Sequence, residues 1–163
     1  ARNGEKAHIY IKINNLVDRD IIELLYMASR EGVDVRLNIR GMFSLVTGIR
    51  DLCDNINAIG IVDRFLEHTR IMIFGNRGNE KVYLTSGDLM TRNIERRVEI
   101  ACPVLDSELK QELRDIFDIQ WEDNVKARIL DKKLENRIAE NNREVLRSQV
   151  EIYNYLKNKH EVS

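Results

Sequence analysis

Residues 7–41, AHIYIKINNLVDRDIIELLYMASREGVDVRLNIRG, carry the strongest structural signal in this sequence. Apolar and polar side chains alternate along 7–14 and again along 33–40, which is the period of a β-strand. Between these segments apolar residues recur at helical spacing, and Asp18 is placed to cap a helix over 19–31. A strand, a helix and a second strand in this order predict a right-handed parallel crossover, so we expect an α/β fold.

The remainder of the chain predicts further short strands and two more helices. The glycine- and asparagine-rich segment 75–79 predicts a hairpin whose flanking strands pair antiparallel. Asp106 is placed to cap a helix, and apolar spacing indicates a final helix near 143–157. Together these patterns predict a mixed, mostly parallel sheet flanked by helices, with helices at the C-terminal end. The further predicted strands are 56–62, 69–74, 81–86 and 97–102.

Length and composition favour one compact domain. With 163 residues, of which 43% are hydrophobic, a single domain over 1–163 is expected, because each of two half-sized domains would bury little core. The chain begins at Ala1 without an initiator methionine, so we expect a piece of a longer protein. Cys53 and Cys102 have no partner at metal-ligand spacing, which favours two buried thiols in a reducing, cytoplasmic setting.

The charge balance excludes some classes of partner. A net charge of −1 gives no overall attraction to nucleic acid or to an anionic membrane. Charged residues interrupt every apolar stretch before it reaches the roughly 20 residues of a membrane-spanning helix. We therefore expect no nucleic-acid partner and no transmembrane segment, and any site for a polyanion must be a local cluster.

The main candidate site residues lie near the ends of predicted strands. Arg40 ends the second strand, where ligands of open α/β sheets bind, and Gly41 beside it allows a phosphate to approach the backbone closely. His68 and Arg70 lie two positions apart at the start of a strand and therefore on the same side. An imidazole beside a guanidinium suits phosphoryl chemistry, because the first can exchange a proton or attack phosphorus and the second neutralises phosphate oxygens. A surface arginine and a structural histidine are the alternatives, and spacing alone leaves both open.

Five other polar residues are further candidates: Arg97 is expected to bind ATP or phosphate, whereas Lys12, Ser86 and Glu99 are weaker candidates. Ser86 offers a hydroxyl, and the Asp88 carboxylate could orient an imidazole or hold a divalent cation. Arg97 and Glu99 share one face of a predicted strand, where a cross-strand ion pair is the alternative explanation. Lys12 lies on the first strand, on the side opposite its buried isoleucines. The sequence contains no glycine-rich Walker loop, no His-x-x-x-His pair and no Gly-x-Ser-x-Gly motif.

Four longer motifs resemble those of a known enzyme family. They are IKINNLVD at 11–18, IRG at 39–41, IVDRFLEH at 61–68 and VYLTSGDLMTRN at 82–93. In this order, and over nearly the whole chain, they resemble the last, C-terminal domain of bacterial polyphosphate kinase. Because that domain is similar to one half of a phospholipase D fold, the resemblance implies a phospholipase D-like half here.

The resemblance implies part of an ATP:polyphosphate phosphotransferase. In that family the terminal phosphate of ATP passes reversibly to polyphosphate through a phosphohistidine in the preceding domain. ATP or ADP and Mg²⁺ are the implied cofactors, with the Mg²⁺ ligands outside this chain, and the preceding domains are the implied partners in a full enzyme that we expect to be a homo-oligomer. Arg40 and His68 match the nucleotide-binding arginine and histidine of the family, and His68 is the catalytic candidate. The strand geometry adds Arg70, Arg97, Glu99, Lys12 and Ser86.

The sequence also departs from the phospholipase D signature, which reads His-x-Lys-x4-Asp followed by Gly-Ser. Arg70 stands in place of the lysine, Gly75 in place of the aspartate, and Thr85-Ser86 in place of Gly-Ser. These departures put hydrolysis of lipids or nucleic acids in doubt. A phosphodiesterase half that uses His68, and a scaffold domain without direct chemistry, remain the alternative functions. We expect the isolated chain to be inactive, because half of a two-domain cleft leaves phosphate groups misaligned.

Overall fold

The predicted crossover unit is present at the start of the chain. A computed structural model describes residues 1, 4–133, 135–141 and 143–161, and the other positions of the expected domain 1–163 lie outside the described residues. β1 (His8–Ile13), α1 (Arg19–Arg30) and β2 (Asp34–Ile39) follow in order, and β1 pairs in parallel with β2. The N–H group of Ile21 donates a 3.2 Å hydrogen bond to Oδ1 of Asp18, so the predicted helix cap is confirmed.

Short strands and helices alternate along the rest of the chain. In order they are β3 (Ile56–Ile61), β4 (Ile71–Phe74), β5 (Lys81–Thr85), α2 (Thr91–Arg96), β6 (Ala101–Val104), α3 (Ser107–Trp121), β7 (Ala127–Ile129) and α4 (Ser148–Glu161). A 3-10 turn over Asn76–Gly78 joins β4 to β5, which pair antiparallel, so the predicted hairpin is confirmed. Asp106 caps α3 as expected, since its Oδ1 accepts hydrogen bonds from the N–H groups of Glu108 and Leu109.

The seven strands form one mixed sheet in the order β6-β5-β4-β1-β2-β3-β7. Among the described strands, β1–β2 and β2–β3 are the parallel pairs, whereas β1–β4, β4–β5, β5–β6 and β3–β7 are antiparallel. The mixed sheet is therefore confirmed, but the expectation that it is mostly parallel is wrong. The reason is that β4 runs back along β1, and a tight hairpin then reverses the chain again.

The region before β6 differs from the predicted strand over 97–102. A short helix, α2, occupies Thr91–Arg96, and β6 begins only at Ala101. Alternating charges imitate a strand pattern here, although most of these side chains are exposed and face no sheet. The position of β6 is set instead by antiparallel pairing, in which Ala101 lies opposite Thr85.

The C-terminal part contains one strand that the sequence pattern did not predict. β7 pairs antiparallel with β3, and α4 begins at Ser148 rather than near 143. α4 contacts α3 through polar side chains: the hydroxyl of Tyr155 donates to Oδ2 of Asp115 at 2.8 Å. Across the described residues, no helix has both the length and the apolar character needed to cross a membrane.

The sheet is covered on both faces. One core, beneath α1, includes Ile11, Ile13 and Leu37 together with the buried Cys53. A second core, beneath α3, contains Tyr10, Ile71, Ile73, Val82 and Phe117.

Lys12 was expected on the side of β1 that faces away from the core, but it is only 3% exposed. It lies on the same face of β1 as Tyr10, and α3 covers this face. The side of β1 opposite the isoleucines is therefore buried as well. The expectation that Cys102 is buried is also wrong, since this thiol is exposed on the edge strand β6.

Candidate functional site

The sheet topology collects the candidate residues at one edge. β1, β2 and β5 end at this edge, whereas β4 and β6 run in the opposite direction and begin there. Residues that follow the first three strands therefore meet residues that precede the other two. We call this place the site edge and define it by residues 14–15, 40–41, 67–70, 86–88 and 99.

Arg40 and His68 meet at the site edge. The Nε atom of Arg40 donates to Oδ1 of Asn14 at 2.6 Å, and its Nη2 atom lies 3.4 Å from Nδ1 of His68. Arg40 is half-buried and His68 is exposed, so both groups are fixed to the fold yet open to a ligand. Gly41 is required for this arrangement, because a Cβ atom there would lie 2.5 Å from Oδ1 of Asn15.

Arg70 lies behind His68 and holds its backbone. Its Nη1 atom donates to the carbonyl oxygen of His68 at 3.2 Å. Its Nε atom donates to Oδ1 of Asp88 at 2.9 Å, and the Asp88 side chain in this ion pair is only 8% exposed. The structure therefore brings Arg70 together with Arg40 and His68, with its charge balanced by a carboxylate.

Asp88 organises the centre of the site edge. Besides Arg70, Oδ1 of Asp88 accepts from the N–H group of Asn14 at 2.9 Å, and Oδ2 accepts from Nδ2 of Asn15 at 2.7 Å. Burial alone would raise the pKa of Asp88, but these hydrogen bonds outweigh it and lower the pKa. Among the described residues no imidazole donates a hydrogen bond to Asp88, so this carboxylate does not orient an imidazole here. Its contacts instead orient Arg70 and the turn after β1.

Lys12 supports the backbone next to His68 from below. Its Nζ atom donates to the carbonyl oxygen of Thr69 at 2.5 Å and lies 3.2 Å from Oε1 of Glu67. Burial lowers the pKa of Lys12, with Glu67 acting in the opposite direction. Since the side chain is buried and satisfied, Lys12 acts on the site through the segment that carries His68.

Ser86 and Glu99 form a second cluster beside Asp88. The Ser86 hydroxyl donates to Oε2 of Glu99, and Nδ2 of Asn93 donates to Oε1 at 2.7 Å. These hydrogen bonds, from Ser86 first and Asn93 second, lower the pKa of Glu99. Arg97 is exposed and interacts with Glu99 through charge. Among the hydrogen bonds and ion pairs of the described residues, none joins Arg97 to Arg40 or His68.

The described part of the chain holds no group of three or more His, Cys, Asp or Glu side chains that could bind a metal ion. At the site edge the carboxylates of Asp88 and Glu99 are already taken up by hydrogen bonds from neighbouring side chains. The arrangement therefore does not fit a protein-bound Mg²⁺ among these residues.

The arrangement can bind an anion. Arg70 and Lys12 each face a carboxylate, whereas Arg40 contacts the neutral amide of Asn14 and the imidazole of His68. The guanidinium of Arg40 can therefore fork to two phosphate oxygens without first breaking an ion pair. An imidazole at 3.4 Å from Arg40 is then within reach of the same phosphate and can exchange a proton with it.

Several supporting residues escaped the sequence analysis. Asn14 and Asn15 directly follow β1, and two adjacent amides at the carboxyl end of a strand are a local signal that could have identified them. Gln120 gives no such signal, because it lies on α3, far along the chain. It is 1% exposed, accepts from Nδ2 of Asn38 at 3.0 Å and donates to Oε1 of Glu67 at 2.5 Å.

Comparison with known proteins gives a family match and a similar relative. The family model for polyphosphate kinase C-terminal domain 2 matches residues 1–149. Over 158 residues the chain is 51% identical to the polyphosphate kinase of Escherichia coli strain K12, an alignment that covers 96% of this chain and 23% of that protein. The chain therefore spans less than a quarter of the length of this curated relative.

Two solved structures share the fold. The crystal structure of polyphosphate kinase from Porphyromonas gingivalis matches with a TM-score of 0.95 and 41% identity, covering 99% of this chain and 25% of that chain. A phospholipase D family member, Nuc from Salmonella typhimurium, matches with a TM-score of 0.59 and 18% identity, covering 81% of this chain and 87% of that chain. The second likeness concerns the fold alone, and with it the expected phospholipase D-like fold is confirmed.

Proposed function

Because the chain belongs to the polyphosphate kinase C-terminal domain 2 family, we propose that it is the last domain of an ATP:polyphosphate phosphotransferase. In this proposal the site edge binds phosphate groups of ATP or polyphosphate and assists reversible transfer of the terminal phosphate of ATP. The transfer passes through a phosphohistidine in the preceding domain, opposite the site edge.

The observation that supports this proposal best is the contact between Arg40 and His68. A phosphoryl group in transfer carries negative charge on several oxygens, so a site needs positioned cations more than a strong nucleophile. Arg40 offers a guanidinium that no carboxylate pairs with among the described residues, and His68 lies beside it at 3.4 Å. We assign Arg40 to the phosphate oxygens and His68 to positioning or protonating one of them.

The other candidates support this pair. Arg70 holds the backbone of His68 and adds positive charge, and Arg97 attracts phosphate from the exposed rim. Lys12 fixes the segment that carries His68, whereas Ser86 and Glu99 fix the start of β6. In this proposal Arg40 and His68 contact the phosphate groups directly, and the remaining residues support these two.

The proposal extends to cofactors and surroundings. Mg²⁺ would arrive with the nucleotide and neutralise part of its charge, since the described carboxylates at the site edge are engaged in hydrogen bonds. The partners would be polyphosphate, ATP or ADP and the preceding domains of the same enzyme. We further propose a homo-oligomeric enzyme in the cytoplasm.

A phosphodiesterase half has support from the fold alone. Gly75 occupies the position of the signature aspartate, and a Cβ atom there would lie 2.8 Å from Nδ1 and 3.1 Å from the backbone nitrogen of His8. A side chain at this position would therefore require the His8 imidazole to move and the backbone of β1 to shift by a few tenths of an ångström. For this reason the phosphotransferase proposal is preferred over hydrolysis.

The substitution His68→Ala in the full-length enzyme tests the proposal. Loss of a group that positions or protonates phosphate is expected to lower the rate of transfer between ATP and polyphosphate by about 100-fold. His8→Asn is the matched control, because His8 lies at the opposite end of β1 and bonds Glu80 at 2.7 Å. A His68→Ala enzyme that works at the wild-type rate would contradict the proposal.

A further inference from the structure

The segment 62–70, which joins β3 to β4 and carries His68, is held in place by few apolar contacts. Its large apolar side chains point outward: Val62 is 73% exposed, Phe65 is 65% exposed and Leu66 is 72% exposed. A segment without secondary structure and with little buried apolar surface is easily displaced. Its conformation must therefore depend on polar contacts with the rest of the domain.

These polar contacts recur at every second residue. Residues 63, 65, 67 and 69 are each held by a side chain from another element. Lys12 and Gln120 hold the end of the segment that lies next to His68. The other end is held from the start of α4, by residues 84 positions further along the chain.

Arg147 and Gln149 make this second set of contacts. Arg147 forms a two-point ion pair with Asp63, with Nε–Oδ2 and Nη2–Oδ1 distances of 2.8 and 2.6 Å, and the Asp63 side chain is 2% exposed. The hydrogen bonds from Arg147 lower the pKa of Asp63. Gln149 binds the backbone of Phe65 twice, accepting from its N–H group at 3.0 Å and donating to its carbonyl oxygen at 2.8 Å.

The start of α4 is itself fixed to the core. Ser148, which lies between Arg147 and Gln149 in the sequence, is fully buried. Its N–H and hydroxyl groups donate to Oδ2 of Asp123 at 2.8 and 2.7 Å. The other carboxylate oxygen of Asp123 accepts from the N–H groups of Val125, Lys126 and Ala127. Arg147 and Gln149 therefore extend from a rigid point toward the segment that carries His68.

We propose that Arg147 and Gln149 are positioning residues for His68: they hold the segment 62–70 so that the imidazole stays beside Arg40. This inference rests on the proposed function of His68 and adds Arg147, just before α4, and Gln149, in its first turn, to the machinery of phosphoryl transfer. Neither residue contacts the phosphate. Their effect on the reaction passes through the placement of the imidazole, and an error of about 1 Å at a reacting group can lower a rate about 100-fold.

The test uses the full-length enzyme, with the rate of transfer from ATP to polyphosphate as the readout. Arg147→Met is expected to lower kcat/KM for ATP about 10- to 100-fold. Arg147→Lys should restore part of the loss, because a lysine can still neutralise Asp63 at one point. Gln149→Ala leaves no buried charge behind and serves as the second variant, with an expected loss of about 3- to 10-fold. Arg143→Met is the matched control, since Arg143 pairs with Glu122 at 2.5 Å in the same C-terminal region but does not touch segment 62–70.

A double-mutant cycle separates positioning from general destabilisation. If Arg147 acts through His68, adding Arg147→Met to His68→Ala should cause no further loss of kcat/KM. A further loss in the double variant, or wild-type kcat/KM in both Arg147→Met and Gln149→Ala while His68→Ala is impaired, would overturn the positioning role and leave the proposed function intact. A fully active His68→Ala enzyme would overturn both the proposed function and the positioning role.

Discussion

The Nη2 atom of Arg40 lies 3.4 Å from Nδ1 of His68, although the two residues belong to different sheet segments 28 positions apart. The first directly follows β2, and the second precedes β4, which runs antiparallel to β1. The pair therefore depends on the mixed topology: a parallel β4 would begin at the opposite edge of the sheet. The antiparallel direction of β4, which departs from the expected mostly parallel sheet, is therefore the reason why the candidate site assembles.

Replacing Arg40 removes a cation that has no carboxylate partner among the described residues and that contacts Asn14 and His68 instead. Arg40→Met in the full-length enzyme is expected to lower kcat/KM for ATP about 10- to 100-fold, the equivalent of one charged hydrogen-bonded pair. Arg50→Met is the matched control, because the Arg50 side chain is 93% exposed and faces Asp51 at 4.0 Å. Equal kcat/KM values for both variants would count against direct phosphate binding by Arg40.

Replacing Asp88 tests whether the site edge is preorganised. Asp88→Asn retains only one acceptor oxygen for Arg70, Asn14 and Asn15, and it removes the charge that faces Arg70. We expect a lower affinity for ATP, measured by titration calorimetry, together with a lower melting temperature. Asp51→Asn is the control, since Asp51 is 90% exposed and its φ of 64° is also acceptable to asparagine. An Asp88→Asn protein with unchanged affinity would show that these hydrogen bonds do not prepare the site.

Local sequence patterns predicted the parts of the fold that local interactions determine. The β1–α1–β2 unit, the β4–β5 hairpin and the cap of α3 each follow from residues close together in sequence. β7 and the start of α4 could not be predicted in this way. Their positions depend on pairing with β3 and on hydrogen bonds between Ser148 and Asp123, which lie 25 residues apart.

The same distinction applies to the candidate site. Arg40 and His68 could be selected from strand ends and from a family resemblance, but the functions of the groups around them could not. Asp88 orients Arg70 rather than an imidazole because the chain returns through β5 beside the turn after β1. Lys12 is buried because α3, almost 100 residues later, packs on its side of the sheet.

The buried carboxylate of Asp123 predicts a loss of stability in acid. Burial alone would raise the pKa of Asp123, but hydrogen bonds from Lys126, Ser148 and Val125 lower it. A carboxyl group whose pKa is lower in the folded than in the unfolded state, about 3.9, stabilises the fold above about pH 4. This contribution is lost as the pH falls through the lowered pKa. Urea unfolding of the chain should therefore show a free energy that declines below about pH 4.

The matched variants for this prediction are Asp123→Asn and Ser148→Ala. Asp123→Asn should be less stable than wild type at pH 7 by about 3 kcal/mol. Its free energy of unfolding should then fall less than that of wild type as the pH is lowered below about 4. Ser148→Ala removes one hydrogen bond and should lower the free energy of unfolding by about 1 kcal/mol. This milder variant should therefore remain folded even if Asp123→Asn unfolds. Variants and wild type that lose stability in parallel below pH 4 would show that Asp123 does not cause the acid dependence.

The isolated chain is expected to bind ATP weakly and to catalyse neither polyphosphate synthesis nor phosphodiester hydrolysis. Arg40 and His68 lie at an open edge of the sheet, where water competes for the phosphate and nothing in the described structure orients a second reactant. The measurements are ATP-dependent polyphosphate formation, hydrolysis of bis(p-nitrophenyl) phosphate, and ATP titration followed by NMR. In the titration Arg40→Met should abolish the shifts that ATP causes, whereas Arg50→Met should not. Polyphosphate formation by the purified chain would show that one half of the cleft suffices for transfer, and phosphodiester cleavage that disappears in His68→Ala would favour the hydrolase alternative.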